Sequence, residues 1–147
     1  MESFKLDHFK RAYPERTFPW FRTLSACETQ VIRQTFTRKV GPREDAASLV
    51  LTNRLLELSV PYKGINAENE HFDLAAVAKD LGISAEKKVY VNWYRYDNVD
   101  EIQFVDLTKY FDDIWYPGPD DIDIFDATFS WILSISHDGA VRSARLK

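Results

Sequence analysis

The sequence predicts an α+β domain, with N-terminal helices packed on a C-terminal, mainly antiparallel sheet of four to five strands, and three observations carry that expectation. Apolar residues recur at helical spacing through about residue 82 and switch to a period of two after Glu86. Strands and helices do not alternate along the chain, so a parallel sheet with crossover helices is not expected. Asp138-Gly139 is the dipeptide that most strongly marks a tight hairpin turn. At 147 residues, with 45% hydrophobic content, the chain can build one sizeable core. A single domain over 1–147 is expected, helical over about 1–82 and sheet-forming over about 87–147.

Glu2 to Tyr13 carries Phe4, Leu6, Phe9, Ala12 and Tyr13 at spacings that suit an amphipathic helix stopped by Pro14. Pro14 to Phe21 holds two prolines and no period, and reads as a loop. Ser25 with Glu28 three residues on offers a capping box for a second helix, whose stripe of Cys27, Val31, Ile32, Thr35 and Phe36 ends at Gly41-Pro42. Over Arg43 to Leu58 helix and strand periods both fit. The reading taken is helix to about Asn53 or Arg54, then an extended piece into Pro61. Tyr62 to Asn69 is an entry loop, and Phe72 to Leu81 a short helix closed by Gly82.

From Val89 to Tyr96 the residues alternate as in a strand, with Ile102 to Val105 pairing across the turn from Asp97 to Glu101. Asp106 suits the cap of a short helix over Leu107 to Phe111. Pro117-Gly118-Pro119 forces a turn before the strand Ile122 to Phe125. Phe129 to Ser136 and Ala140 to Leu146 then make the final hairpin.

The lone Cys27 excludes an internal disulfide, sits on the expected inner stripe of its helix as a small hydrophobe, and fits a reducing compartment. Charges within Met1 to Asp7 interrupt any signal-peptide core, and no apolar run approaches the roughly 20 residues of a membrane span. A cytoplasmic location follows as the expectation.

Charge is unevenly distributed. Met1 to Asn66 carries eleven Lys/Arg against seven Asp/Glu, whereas Ala67 to Ser136 carries five against fifteen. Between Asp97 and Asp126 ten carboxylates face only Lys109. Carboxylates this dense raise the question of a metal, but counting from Asp120 puts Phe125 where a calcium loop needs glycine. No metal or cofactor is expected. His8, His71 and His137 lie far apart and no serine sits in a nucleophile elbow, so catalysis finds no motif. Tyr90, Trp93, Tyr94 and Tyr96 resemble a base-stacking platform, yet their flanks are acidic, which argues against direct nucleic-acid binding. An acidic, aromatic recognition face for a basic protein is the functional reading, with Asp97, Asp100, Glu101, Asp112, Asp113, Trp115, Tyr116, Asp120, Asp121 and Asp123 as its candidate contacts.

The run from Asp113-Ile114-Trp115-Tyr116-Pro117 through Asp120-Asp121-Ile122-Asp123-Ile124-Phe125-Asp126 to Trp131 and His137-Asp138-Gly139 resembles, in style, the immunity proteins encoded beside bacterial polymorphic and contact-dependent toxins. The likeness covers about the last third of the chain and brings no functional residue with it. It implies a cognate toxin, such as a nuclease, whose basic cleft the acidic face would cover. Two other functions are open at this level: a nucleic-acid-mimicking accessory module of a mobile element, and a small enzyme or ligand binder with Asp121, Asp123, Trp131 and His137 converging at one end of the sheet. A homodimer is also open.

Overall fold

The structure is a computed structural model that describes residues 1–41, 48–94 and 96–147. Among these residues there are six helices and one open sheet of seven strands, every pair antiparallel. The helices are α1 (Ser3–Ala12), α2 (Ala26–Val40), α3 (Ser48–Leu58), α4 (Leu74–Asp80), α5 (Phe104–Lys109) and α6 (Phe111–Ile114). The strands are β1 (Phe21–Thr23), β2 (Val60–Asn66), β3 (Lys88–Asn92), β4 (Val99–Gln103), β5 (Ile122–Phe125), β6 (Trp131–Ile135) and β7 (Ala140–Arg145), in the spatial order β1-β4-β3-β5-β6-β7-β2.

The class is α+β, as expected, but the sheet has more strands than the four or five anticipated. Both extra strands come from the half read as helical, and both are edges. β1 is only three residues long, too short to show alternation. β2 contains Pro61 and Gly64, residues that argue against a central strand but are tolerated at an edge, where no outer neighbour needs the missing N–H. The expected loop over Tyr62 to Asn69 is therefore largely strand.

Alternation along each strand sends residues to two cores. Val89, Val91, Ile102, Ile122, Ile124, Trp131, Leu133, Ile135 and Val141 pack with α4, α5 and α6 on one face. Val99, Phe125, Ile132 and Ala144 pack with Ile32 and Phe36 of α2 and with Leu51 and Leu55 of α3 on the other. Covering both faces explains why β5 and β6 read as nearly continuous apolar runs.

The capping box at α2 forms. The Ser25 hydroxyl accepts from the Glu28 N–H, while the Glu28 carboxylate accepts from the Ser25 N–H at 2.8 Å. Arg22 above all, then Ser25, holds that carboxyl down to about 2. The buried stripe of α2 is Thr29, Ile32 and Phe36, so Cys27 and Val31 face outward, one step round the helix from their expected place. α3 runs on to Leu58, beyond the expected stop near Arg54, because Leu55 still reaches the core. The segment expected to start this helix at Arg43 lies largely outside the described residues, as does Arg95. Asp73 caps α4 through the Ala76 N–H, and Gly82 takes the left-handed backbone that ends it. α5 starts at Phe104, with Asp106 in its first turn and Gln103 at the cap position.

The β6–β7 hairpin turns at Gly139, whose φ is +78°. Its carbonyl accepts from the Ala67 N–H, and the Asn66 amide donates to the Asp138 carbonyl, so the end of β2 is tied to the turn. A Cβ at Gly139 would lie 1.9 Å from the Asn66 side-chain oxygen. Replacing Gly139 with Ala is expected to destabilise the fold by more than about 1 kcal/mol, from backbone strain plus displacement of Asn66. Urea denaturation of G139A and of the double variant N66A/G139A checks this, the double variant recovering the part that comes from overlap.

Candidate binding site at one end of the sheet

The residues expected to form one acidic face separate into three groups. Those on covered strand and loop positions are spent inside the molecule. Asp100 is fully buried and accepts hydrogen bonds from Thr23, from the Trp93 indole at 2.7 Å and from the α-amino group of Met1. Glu101 lies on the opposite face of β4 between Lys88 at 3.1 Å and Arg22 at 3.4 Å. Asp120 is buried against the Lys5 ammonium and accepts from the Tyr116 N–H. Trp115 is buried, stacks on Phe111, and donates to the Asp120 carbonyl at 3.0 Å.

Lys5 is the functional group that the sequence pattern hid. It is wholly buried, donates to the Ile114 carbonyl at 2.8 Å and lies 3.9 Å above the Trp93 ring. Burial pulls its titration down, and Asp120 opposes that pull. The signal was available: Lys5 stands four residues before the buried Phe9, on the same side of α1.

Asp112, Asp113 and Tyr116 form a second group beside α1. Asp112 is exposed, and Asp113 is half-buried, its carboxyl pushed up by burial and then by the neighbouring charge of Asp112. The Tyr116 hydroxyl meets His8 Nδ1 at 2.8 Å.

The third group gathers where the β3–β4 turn, the loop before β5 and the β6–β7 hairpin meet. Asp121 accepts from the His137 N–H at 2.8 Å and approaches the ring Nδ1 at 3.0 Å, which raises the imidazole's titration. Tyr94 and Asp121 line two adjoining concavities. One is a shallow hollow shared with Glu2, Trp93, Asn98, Pro119 and Asp120. The other is a cavity of about 270 Å³ beneath α3, which reaches Asp123, Ser134 and Arg142.

Register builds the floor of that cavity. Asn92 pairs with Asp123, Asp123 with Ser134, and Ser134 with Arg142, so one polar row crosses four strands on the face that α2 and α3 cover. Asp123 accepts from the Asn92 amide at 3.0 Å and from the Ser134 hydroxyl at 2.6 Å. Protein surrounds its carboxyl, and Asp123 lines the cavity; burial pushes the group up despite the pull of Ser134, Asn92 and Tyr96. The buried Tyr96 hydroxyl, driven well up by burial and by Asp123, lies beside that carboxyl without reaching good hydrogen-bond geometry to any described residue. Tyr94 and Tyr96 both hold left-handed backbone, at φ of 66° and 57°, and the Asn92 side chain fixes the second by accepting from the Tyr96 N–H. Trp131, anticipated at this end, points to the opposite core and donates to Asp126.

No family model matches the chain, and neither a curated protein nor a solved structure matches it at a significant level. Among the described residues, no helix is long and apolar enough to cross a membrane, and no cluster of three or more His, Cys, Asp or Glu could hold a metal ion.

Two outcomes follow. Truncating Lys5 to Ala leaves Asp120 buried without its cation, and a loss of about 3–5 kcal/mol is expected in urea or thermal unfolding. The His137 imidazole, followed by NMR, is expected to titrate above its ordinary 6.5 and to fall back in D121N. Because the folded-state value is the higher one, this contact supports the fold below the unfolded pKa and loses that support as pH rises through the folded one.

Proposed function

We propose that this chain is an acidic, non-catalytic binding protein that acts as an immunity protein, inhibiting a cognate bacterial toxin by covering its basic active-site cleft. The observation that supports the reading is the end of the sheet just described. Glu2 and Asp121 line a hollow with Trp93 and Tyr94, while Asp97 is exposed on the β3–β4 turn towards α2 and Asp138 is exposed at the tip of the β6–β7 hairpin. Paired aromatics within a carboxylate rim combine anchoring area with long-range attraction for a cationic surface. A cleft that holds phosphates carries positive charge, so such a rim steers association and lends complementarity without any catalytic group.

The contact we propose is the turn and hairpin tips and not the acidic segment as a whole. Asp100, Glu101, Asp120 and Trp115 support the surface from inside. A second reading, acid–base chemistry, is favoured by one observation: Asp121 engages the His137 ring at the mouth of a cavity that Ser134 and Ser136 also line. Both hydroxyls, however, donate to carboxylates, Ser134 to Asp123 and Ser136 to Asp138, and neither pairs with His137.

The test is protection and association with the protein encoded by the adjacent gene. Co-expression is expected to rescue growth. Changing Asp97, Asp121 and Asp138 together to Asn is expected to slow association about tenfold or more at low salt and flatten its salt dependence, while the far-UV circular dichroism shows the fold retained. Absence of protection, or an association rate unmoved by the triple change, removes the reading.

A further inference from the structure

The cavity beneath α3 contains a mismatch of charge. Its apolar wall is Leu49, Leu55 and Leu56 of α3, and its charged groups are Asp121, Asp123 and Arg142. Arg142 is already committed. Its guanidinium donates to the Ser59 hydroxyl at 2.8 Å, to the Ser59 carbonyl at 2.9 Å and to the Leu56 carbonyl, holding the C-terminal end of α3. Asp121 is engaged by His137. Asp123 receives only neutral donors, and among the described residues no cation stands within ion-pair distance of it.

A carboxylate enclosed in this way is costly unless an opposite charge joins it. Here the opening that would admit one is present, because Asp123 itself lines the cavity. The volume of about 270 Å³ sits just under the range that holds drug-sized ligands, which suits a short chain with one polar end. We propose that this cavity is a binding site for a single organic cation, a protonated amine or guanidinium on a short apolar stem, with Asp123 as its counter-ion. The stem lies against Leu49, Leu55 and Leu56, and the cationic head meets the Asp123 carboxylate between Asn92 and Ser134. The same chemistry is carried by a free alkylamine and by a lysine or arginine side chain of a bound protein. The site belongs to this chain alone and stands whether or not the inhibitor reading does.

The probes are n-butylammonium, n-butylguanidinium and n-butanol, the neutral isostere of the first, titrated into the full chain and followed by amide NMR shifts and calorimetry. A blocked lysine peptide is the second arm. Both cations are expected to shift Ser134, Ser136 and Ala140, and to bind about tenfold or more tightly than the alcohol. Asp123→Asn is expected to abolish that preference while leaving the melting temperature equal or higher, since it removes an enclosed charge. Should D123N fail to fold, Leu56→Trp, on the exposed side of α3, fills the cavity and is expected to eliminate binding. Peptide binding as tight as that of the free amine identifies a protein side chain as the occupant; amine binding without peptide binding identifies a free metabolite amine. Equal affinity for amine and alcohol, shifts elsewhere on the chain, or an undiminished preference in D123N or L56W overturns the proposal.

Discussion

Helices cover both faces of the antiparallel sheet, and this constraint governs the rest of the structure. Most side chains of the central strands point into a core, so a carboxylate enclosed there or in the adjoining loops must be met by a donor or a cation within the protein. Asp100, Glu101, Asp120, Asp123 and Asp126 are met in this way, each through different partners. A stretch that looks in one dimension like a solvated acidic block is in space a set of internal anchors with a smaller exposed remainder.

Those anchors bring distant parts of the chain together. Asp120 holds α1 through Lys5, which also reaches the last carbonyl of α6 and the Trp93 ring of the β3–β4 turn. Asp100 ties β1 and the N-terminus to β4, and Asp126 joins the Glu86 N–H to the Trp131 indole. The loops that frame the candidate site are thereby fastened from below. Their tips, carrying Asp97, Asp121 and Asp138, stay in contact with solvent. Support of this kind suits a surface that binds by complementarity.

The polar row from Asn92 to Arg142 is a further departure from an apolar interior, beside the Lys5–Asp120 pair, Asp100 and Asp126. Asn92 and Ser134 donate to Asp123 and Arg142 holds the end of α3, so the Asp123 carboxyl has only neutral donors and lies next to open volume. Folding stability gains nothing evident from that arrangement. Sites where local consistency fails are where function concentrates, and the left-handed Tyr94 and Tyr96 stand at the same place.

Features decided within a few residues were readable from the chain by itself: the Ser25–Glu28 capping box, the Gly82 stop, the strand Ile122 to Phe125 and the Asp138-Gly139 hairpin, since periodicity, caps and turns depend on neighbours up to about four positions apart. Edge strands escaped that reading because a three-residue segment and a proline-bearing one carry too little alternation. Lys5 and Asp120 stand 115 positions apart, and Asn92, Asp123, Ser134 and Arg142 come from four strands aligned only by register. Which acids are buried, which stay at the surface and where a cavity opens were decided by tertiary packing alone, because pairing between remote segments leaves no local period to read.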